Sequence, residues 1–237
     1  MDSLKDRPVL CFDLFADYAQ LKKYYTTMSP LSFAIPPGTV IRGMLGALVG
    51  IDKEVSPELF HPVDISLRLL NPVKKVTIPE NLLKTTSKKH FSRFKQHKPT
   101  NIEFAKDVRY RLYIKTEEDE IYSQIKEKLF NHSSVYTMSL GISEALANFE
   151  NVEETSVEGL VKNETPVQSI IPTDLISGTD IDFNGLEIFT VTLPMKMKND
   201  REIIEYREFA FERSGLPIPA ETDKTVKLKN GDHVIFF

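Results

Sequence analysis

The succession of apolar patterns predicts an α+β protein. A ferredoxin-like, RRM-type βαββαβ unit spans residues 1–141, with a basic insertion at about 71–107 and a β-rich region over 142–237. Three observations carry this. Strand–helix–strand patterns occur twice before Gly141. The stretch between the two halves is long, basic and without helical period. After Ile142, short alternating runs replace helical ones.

Val9 to Phe15 is the first strand, with Leu10, Phe12 and Leu14 on one side and Cys11 and Asp13 on the other. A loop rich in Tyr, Lys, Thr and Ser leads to a helix opened by Pro36-Pro37 and closed by Gly50. Val40, Ile41, Met44, Leu45 and Leu48 form its apolar side; Thr39, Arg42, Gly43 and Gly46 form the other. Val63 to Leu70 is the second strand. Within the insertion, Val73–Pro79 and Asn101–Lys106 read as extended arms of a protruding hairpin.

Val108 to Lys115 is the third strand. Val108, Tyr110, Leu112 and Ile114 turn to the core, and Arg109, Arg111, Tyr113 and Lys115 to a face expected to be free. The second helix covers about Glu118 to Phe130, with acids at its start and Lys126 and Lys128 at its end, matching the helix dipole. Val135 to Leu140 is read as the fourth strand. Beyond the acidic stretch Glu144–Glu164, strands are expected at Phe189–Lys196 and Glu202–Arg213. Asn230-Gly231 marks a two-residue hairpin between Thr225–Lys229 and Asp232–Phe237.

Composition limits the function classes. The 237 residues suffice for a full core, and 41% hydrophobic with 27% charged residues is ordinary for a soluble globular protein. No apolar run nears the ~20 residues of a membrane span. The N-terminus lacks a signal-peptide core, so a cytoplasmic protein without membrane contact is expected. A single cysteine builds neither a disulfide framework nor a Cys metal site, and the five histidines lack ligand spacing. No Walker, GxGxxG, HExxH or GxSxG motif occurs, and no cofactor or metal is expected.

The formal charge of −4 conceals a basic segment. Between Val73 and Arg111 eleven Lys or Arg face Glu80, Glu103 and Asp107, leaving 19 basic and 31 acidic residues elsewhere. Such a block attracts a polyanion, or is simply a solvated charged loop. Phosphate contacts from the insertion, a free sheet face with Arg109, Arg111 and Tyr113 expected to bind the strand, stacking faces from Tyr18, Tyr24, Tyr25, Phe91, Phe94 and Tyr113, and hydroxyls from Thr26, Thr27, Ser29 and Ser32 fit single-stranded nucleic acid. The alternative is a metal-free endoribonuclease using Lys88-Lys89-His90 with Tyr24 and Tyr25, since His, Tyr and Lys supply base, acid and cation. A histidine beside lysines in a basic hairpin more often contacts phosphate.

The stretch KKYYTTMSPLSFAIPPGTVIRGMLGALVG resembles the N-terminal signature of the Cas five family, a RAMP-type subunit of type I CRISPR surveillance complexes (Cascade). VYTMSLGISEALANFE (Val135–Glu150) and YREFAFERSGLPIP (Tyr206–Pro219) are similar too, and the TTxS, PPxT and G-LGA spacing is most like subtype I-B. The resemblance implies a thumb between the second and third strands of an RRM-like RAMP domain. It implies a subunit for antiviral defence that caps the 5′ handle of the CRISPR RNA. Its partners would be the large subunit (Cas eight family) and the first backbone subunit (Cas seven family), with target DNA engaged through the complex.

In a related branch the homologue cuts precursor RNA with a Tyr-Lys-His set. Here Phe33 stands at about the tyrosine position, and Lys89-His90 match the others loosely, which implies a non-catalytic subunit. By the same resemblance Lys22, Lys23, Tyr24, Tyr25, Thr26, Thr27 and Ser29 grip RNA, with Arg42 facing the same strand. Lys74, Lys75, Lys88, Lys89, His90, Arg93 and Lys95 form the thumb, and Ser143 and Asn148 bond handle bases. Arg207 and Arg213 are further candidates, or pair with neighbouring Glu205, Glu208 or Glu212.

Overall fold

The computed structural model describes residues 6–26, 28–84, 97–161, 165–176 and 185–237. It is a strand-rich α/β structure with few helices. β1 (Pro8–Ala19), β2 (Asp64–Leu69), β4 (His97–Lys115) and β5 (Asn148–Val161) lie in the spatial order β5–β1–β4–β2, each antiparallel to its neighbour. Two helices, α1 (Gly38–Val49) and α3 (Asp119–Phe130), flank the short α2 (Ser56–Leu59) in sequence. Ile41, Met44, Leu45 and Leu48 of α1 and Tyr122, Ile125 and Leu129 of α3 join Leu10, Phe12 and Leu14 of β1 in the main core. α1 ends where Gly50 takes a left-handed conformation (φ 85°) and its N–H returns to the Gly46 carbonyl.

The basic insertion begins as a hairpin, β3 (Lys74–Leu83) against β4, in register from Lys74↔Lys106 to Leu83↔His97. β4 does not stop at the hairpin's base. Its 19 residues run on to pair with β1 and β2, so the insertion's second arm and the expected third strand are one element. At the junction Asp107 takes a positive φ of 53°.

The fourth strand differs from expectation. Val135 to Leu140 is irregular, with an isolated bridge between Ser139 and Leu146; the fourth strand is β5, inside the acidic stretch. Two things hid it. Asn151 at φ 52° lies where the pairing shifts between Cys11 and Asp13, which breaks the two-residue period. Glu150 and Glu153 of β5 are also matched by Arg109 and Arg111 of β4, which a local reading cannot see.

Beyond β5, β11 (Thr225–Leu228) and β12 (His233–Val234) form the Asn230-Gly231 hairpin and extend the first sheet through β5. β6 (Thr165–Val167) pairs with β10 (Ile218–Ala220). β7 (Ile171–Pro172), β9 (Ile203–Glu212) and β8 (Ile188–Met197) make a second sheet in that order. Its Leu193, Met195, Phe209 and Phe211 belong to the same core as α1. Among the described residues no helix is long and apolar enough to cross a membrane, and no group of three His, Cys, Asp or Glu is placed to hold a metal.

Candidate nucleic-acid interface

The loop after β1 is a tied finger. Its ends pair through Lys22 and Ser32; Lys23 N–H donates to the Leu31 carbonyl (2.8 Å) and Phe33 N–H to the Leu21 carbonyl (2.7 Å). The buried Ser32 hydroxyl accepts from Leu21 N–H (2.9 Å). Thr26 Oγ1 donates to the Lys23 carbonyl (2.8 Å) and accepts from Leu31 N–H (3.2 Å), so this hydroxyl works inside the loop. The ties hold Tyr24 and Tyr25 outward, 55% and 61% exposed, with ring centroids 5.1 Å apart. Tyr206 of β9, 45% exposed, continues the row 5.5 Å from Tyr24. Lys22 and Ser29 are exposed on the same loop, and Lys23 Nζ stands 5.9 Å from the Tyr25 ring. Tyr206 was not anticipated: it comes from a distant strand, and its exposure follows from the second sheet's register.

The finger is fastened to the base of the basic hairpin. Glu103 of β4 accepts from Ser32 N–H (3.0 Å) and from Lys75 Nζ (2.9 Å), and the same Nζ donates to the Ser32 carbonyl (2.6 Å). Burial opposes ionisation of Glu103, but the Lys75 and Ser32 hydrogen bonds outweigh it and hold the carboxyl below the usual range. With a lowered folded pKa, the tie is complete above the ordinary glutamate pKa and weakens as pH falls through the lowered one. Glu103→Gln is expected to raise amide exchange at Ser32 about 5-fold at neutral pH, the loss of roughly 1 kcal/mol. Exchange unchanged at Ser32 rejects the tie.

Several expected contacts are structural instead. Arg42 is 3% exposed: Nε donates to the Phe60 carbonyl (3.1 Å), one terminal nitrogen to Met195 (2.9 Å) and the other to Val63 (3.0 Å). Burial lowers its guanidinium to about 10, so it stays charged at neutral pH. It was expected on the exposed side of α1, but its guanidinium is covered by Met195 of β8 and by the connection after α2. Tyr113 is fully buried and donates to Asp232 (2.9 Å). The supposedly free face carries a second apolar cluster of Val9, Cys11, Tyr113, Val157, Val226, Leu228 and Val234. Beside it Arg109 pairs with Glu150 and Asp13, and Arg111 with Glu153 and Asp13, so both cations are neutralised within the sheet.

Lys74 faces Asp107 at 3.7 Å, and both are exposed. Ser143 donates to Glu144 (2.9 Å), and Asn148 Oδ1 accepts the N–H of Phe149 (2.8 Å); both side chains are exposed. They flank the turn at Gly141, where φ is 102° and a Cβ would stand 1.9 Å from the Gln20 carbonyl oxygen, which only glycine permits. That turn lies against the start of the tyrosine loop, Gln20 N–H donating to Leu140 (3.0 Å). Arg207 pairs doubly with Asp174 and Arg213 with Glu187 (2.9 Å), neither partner being the neighbouring acid expected. Thr27, Lys88, Lys89, His90, Arg93 and Lys95, with Phe91 and Phe94, lie outside the described residues.

No protein-family model and no curated protein matches the sequence. Solved structures do match in fold. One is a CRISPR protein from Archaeoglobus fulgidus, with TM-score 0.59 and 12% identity over 97% of this chain and 98% of that one. Another is a chain of a CRISPR RNA-guided surveillance complex, with TM-score 0.55 and 11% identity over 88% of this chain and 91% of that one. This chain has the fold of these CRISPR-associated proteins.

Proposed function

We propose that this chain is a non-catalytic RNA-binding subunit of a type I CRISPR surveillance complex, in the Cas five family and most like subtype I-B. It holds the 5′ handle of the guide RNA beside the large subunit and the first backbone subunit, in the cytoplasm, for antiviral defence. The observation that carries this is the exposed Tyr24–Tyr25–Tyr206 row, its first two rings borne on a lysine loop tied to the root of the basic hairpin and the third on β9. Aromatic faces beside cations suit bases and phosphates of a single strand. The order β5–β1–β4–β2 supports reading the central sheet as the ferredoxin-like palm of a RAMP protein, with the hairpin as its thumb. The fold shared with a chain of an RNA-guided complex supports the assembly.

The non-catalytic part rests on Phe33, whose ring has no proton to transfer and is 2% exposed. Incubating the full chain with its repeat RNA in EDTA tests the reading. The expected result is retained, uncut RNA, with affinity lowered when Tyr24, Tyr25 and Tyr206 are changed to Ala. Site-specific cleavage leaving a cyclic phosphate overturns the non-catalytic assignment; no RNA binding at all overturns the whole.

A further inference from the structure

The second sheet contributes a ring that the core does not use up. β8 and β9 pair Phe189 with Phe211, so both rings lie on one face, with centroids 6.1 Å apart and planes inclined by 29°. Phe211 is 4% exposed, whereas Phe189 is 50% exposed: one aromatic is sealed and its neighbour is open. Phe189 borders a cavity of about 390 Å³ that Lys23, Lys75 and Arg213 also line. A volume of that order is at the lower end of small-ligand sites.

Charge balance narrows what the cavity takes. Lys75 is matched by Glu103 and Arg213 by Glu187. Lys23 forms no ion pair among the described residues; its Nζ stands 5.9 Å from the Tyr25 ring and 5.8 Å from that of Phe33. The cavity therefore offers one open aromatic face and one surplus positive charge. One nucleotide brings one π-face and one phosphodiester charge.

We propose that this cavity receives a single unstacked nucleotide, its base against Phe189 and its phosphate toward Lys23. This rests on the RNA-binding reading and deepens it. A strand lying on Tyr24 and Tyr25 meets the cavity through Lys23, which belongs to both, and turns one base in between the sheets.

The chain has no tryptophan, so Phe189→Trp introduces a lone emitter at the site. Titrating that variant with a single-stranded 12-mer RNA is expected to quench its emission saturably. Phe130→Trp, at a half-exposed site on α3, is expected to report no quenching. Heparin, a polyanion without bases, should leave both emissions unchanged. Phe189→Ala and Phe189→Leu should each weaken RNA binding roughly 5- to 150-fold, the worth of one stacked base. Leu matters because it fills volume without a π-face. RNA binding of wild-type strength in either variant, or an unquenched Phe189→Trp chain that still binds RNA, overturns this site and leaves the broader reading standing. A wild-type chain that binds no RNA removes both.

Discussion

Changing Lys88, Lys89, Arg93 and Lys95 together to Glu is expected to strip guide RNA from the purified complex. These four cations lie in sequence between the two arms of the β3–β4 hairpin. On a single strand each phosphate contact contributes about 0.7 to the slope of log K against log salt. Four lost contacts flatten that slope by about 3 and cost on the order of 100-fold in affinity near physiological salt, before the repulsion from four new carboxylates is added. The measurement is nucleic-acid absorbance of the purified assembly, backed by the salt dependence of binding. RNA content equal to that of the wild type would sink the assignment of the insertion to RNA.

Arg42→Ala should act on folding and leave the proposed RNA surface alone. Removing the guanidinium takes a charged donor from three carbonyls: Met195 in β8, and Phe60 and Val63 in the connection before β2, of which Phe60 keeps only the Val63 N–H among the described residues. The expected loss is about 3 kcal/mol or more, a large share of the ~5–15 kcal/mol that keeps a domain folded. It should appear as a lower urea midpoint at unchanged slope. Arg42→Lys should recover only part of it, since one ammonium nitrogen cannot reach three carbonyls that the fork spans. A variant that keeps wild-type stability but loses RNA would return Arg42 to the interface where the sequence put it.

What was legible in the sequence was local. β1, α1 and the Asn230-Gly231 hairpin announce themselves through alternation, Pro and Gly punctuation and turn chemistry, all within a dozen residues. The extended arms of the insertion were visible for the same reason, and so was the tyrosine loop. β5 was not, because its acids find their partners in Arg109 and Arg111 on β4, and because the bulge at Asn151 interrupts its period. Arg42 and Tyr113 were misplaced for a related cause: helix and strand periodicity gives a side, but not what covers it. Their covers, Met195 and Asp232, are more than 100 residues away. Tyr206 and Phe189 complete the site from the same distance.

The 19 residues of β4 make the hairpin a cantilever. The strand that forms one of its arms from His97 to Lys106 is built into the central sheet, paired with β1 from Ala105 onward and with β2 from Tyr110, with no linker where a hinge would sit. Any force on the hairpin is therefore delivered to two hydrogen-bond ladders at once. At its root Asp107 takes a left-handed conformation, and its carbonyl accepts from the Asn71 side chain at 2.9 Å. On the RNA-binding reading proposed above, a strand pulling on such an arm loads the body of the protein.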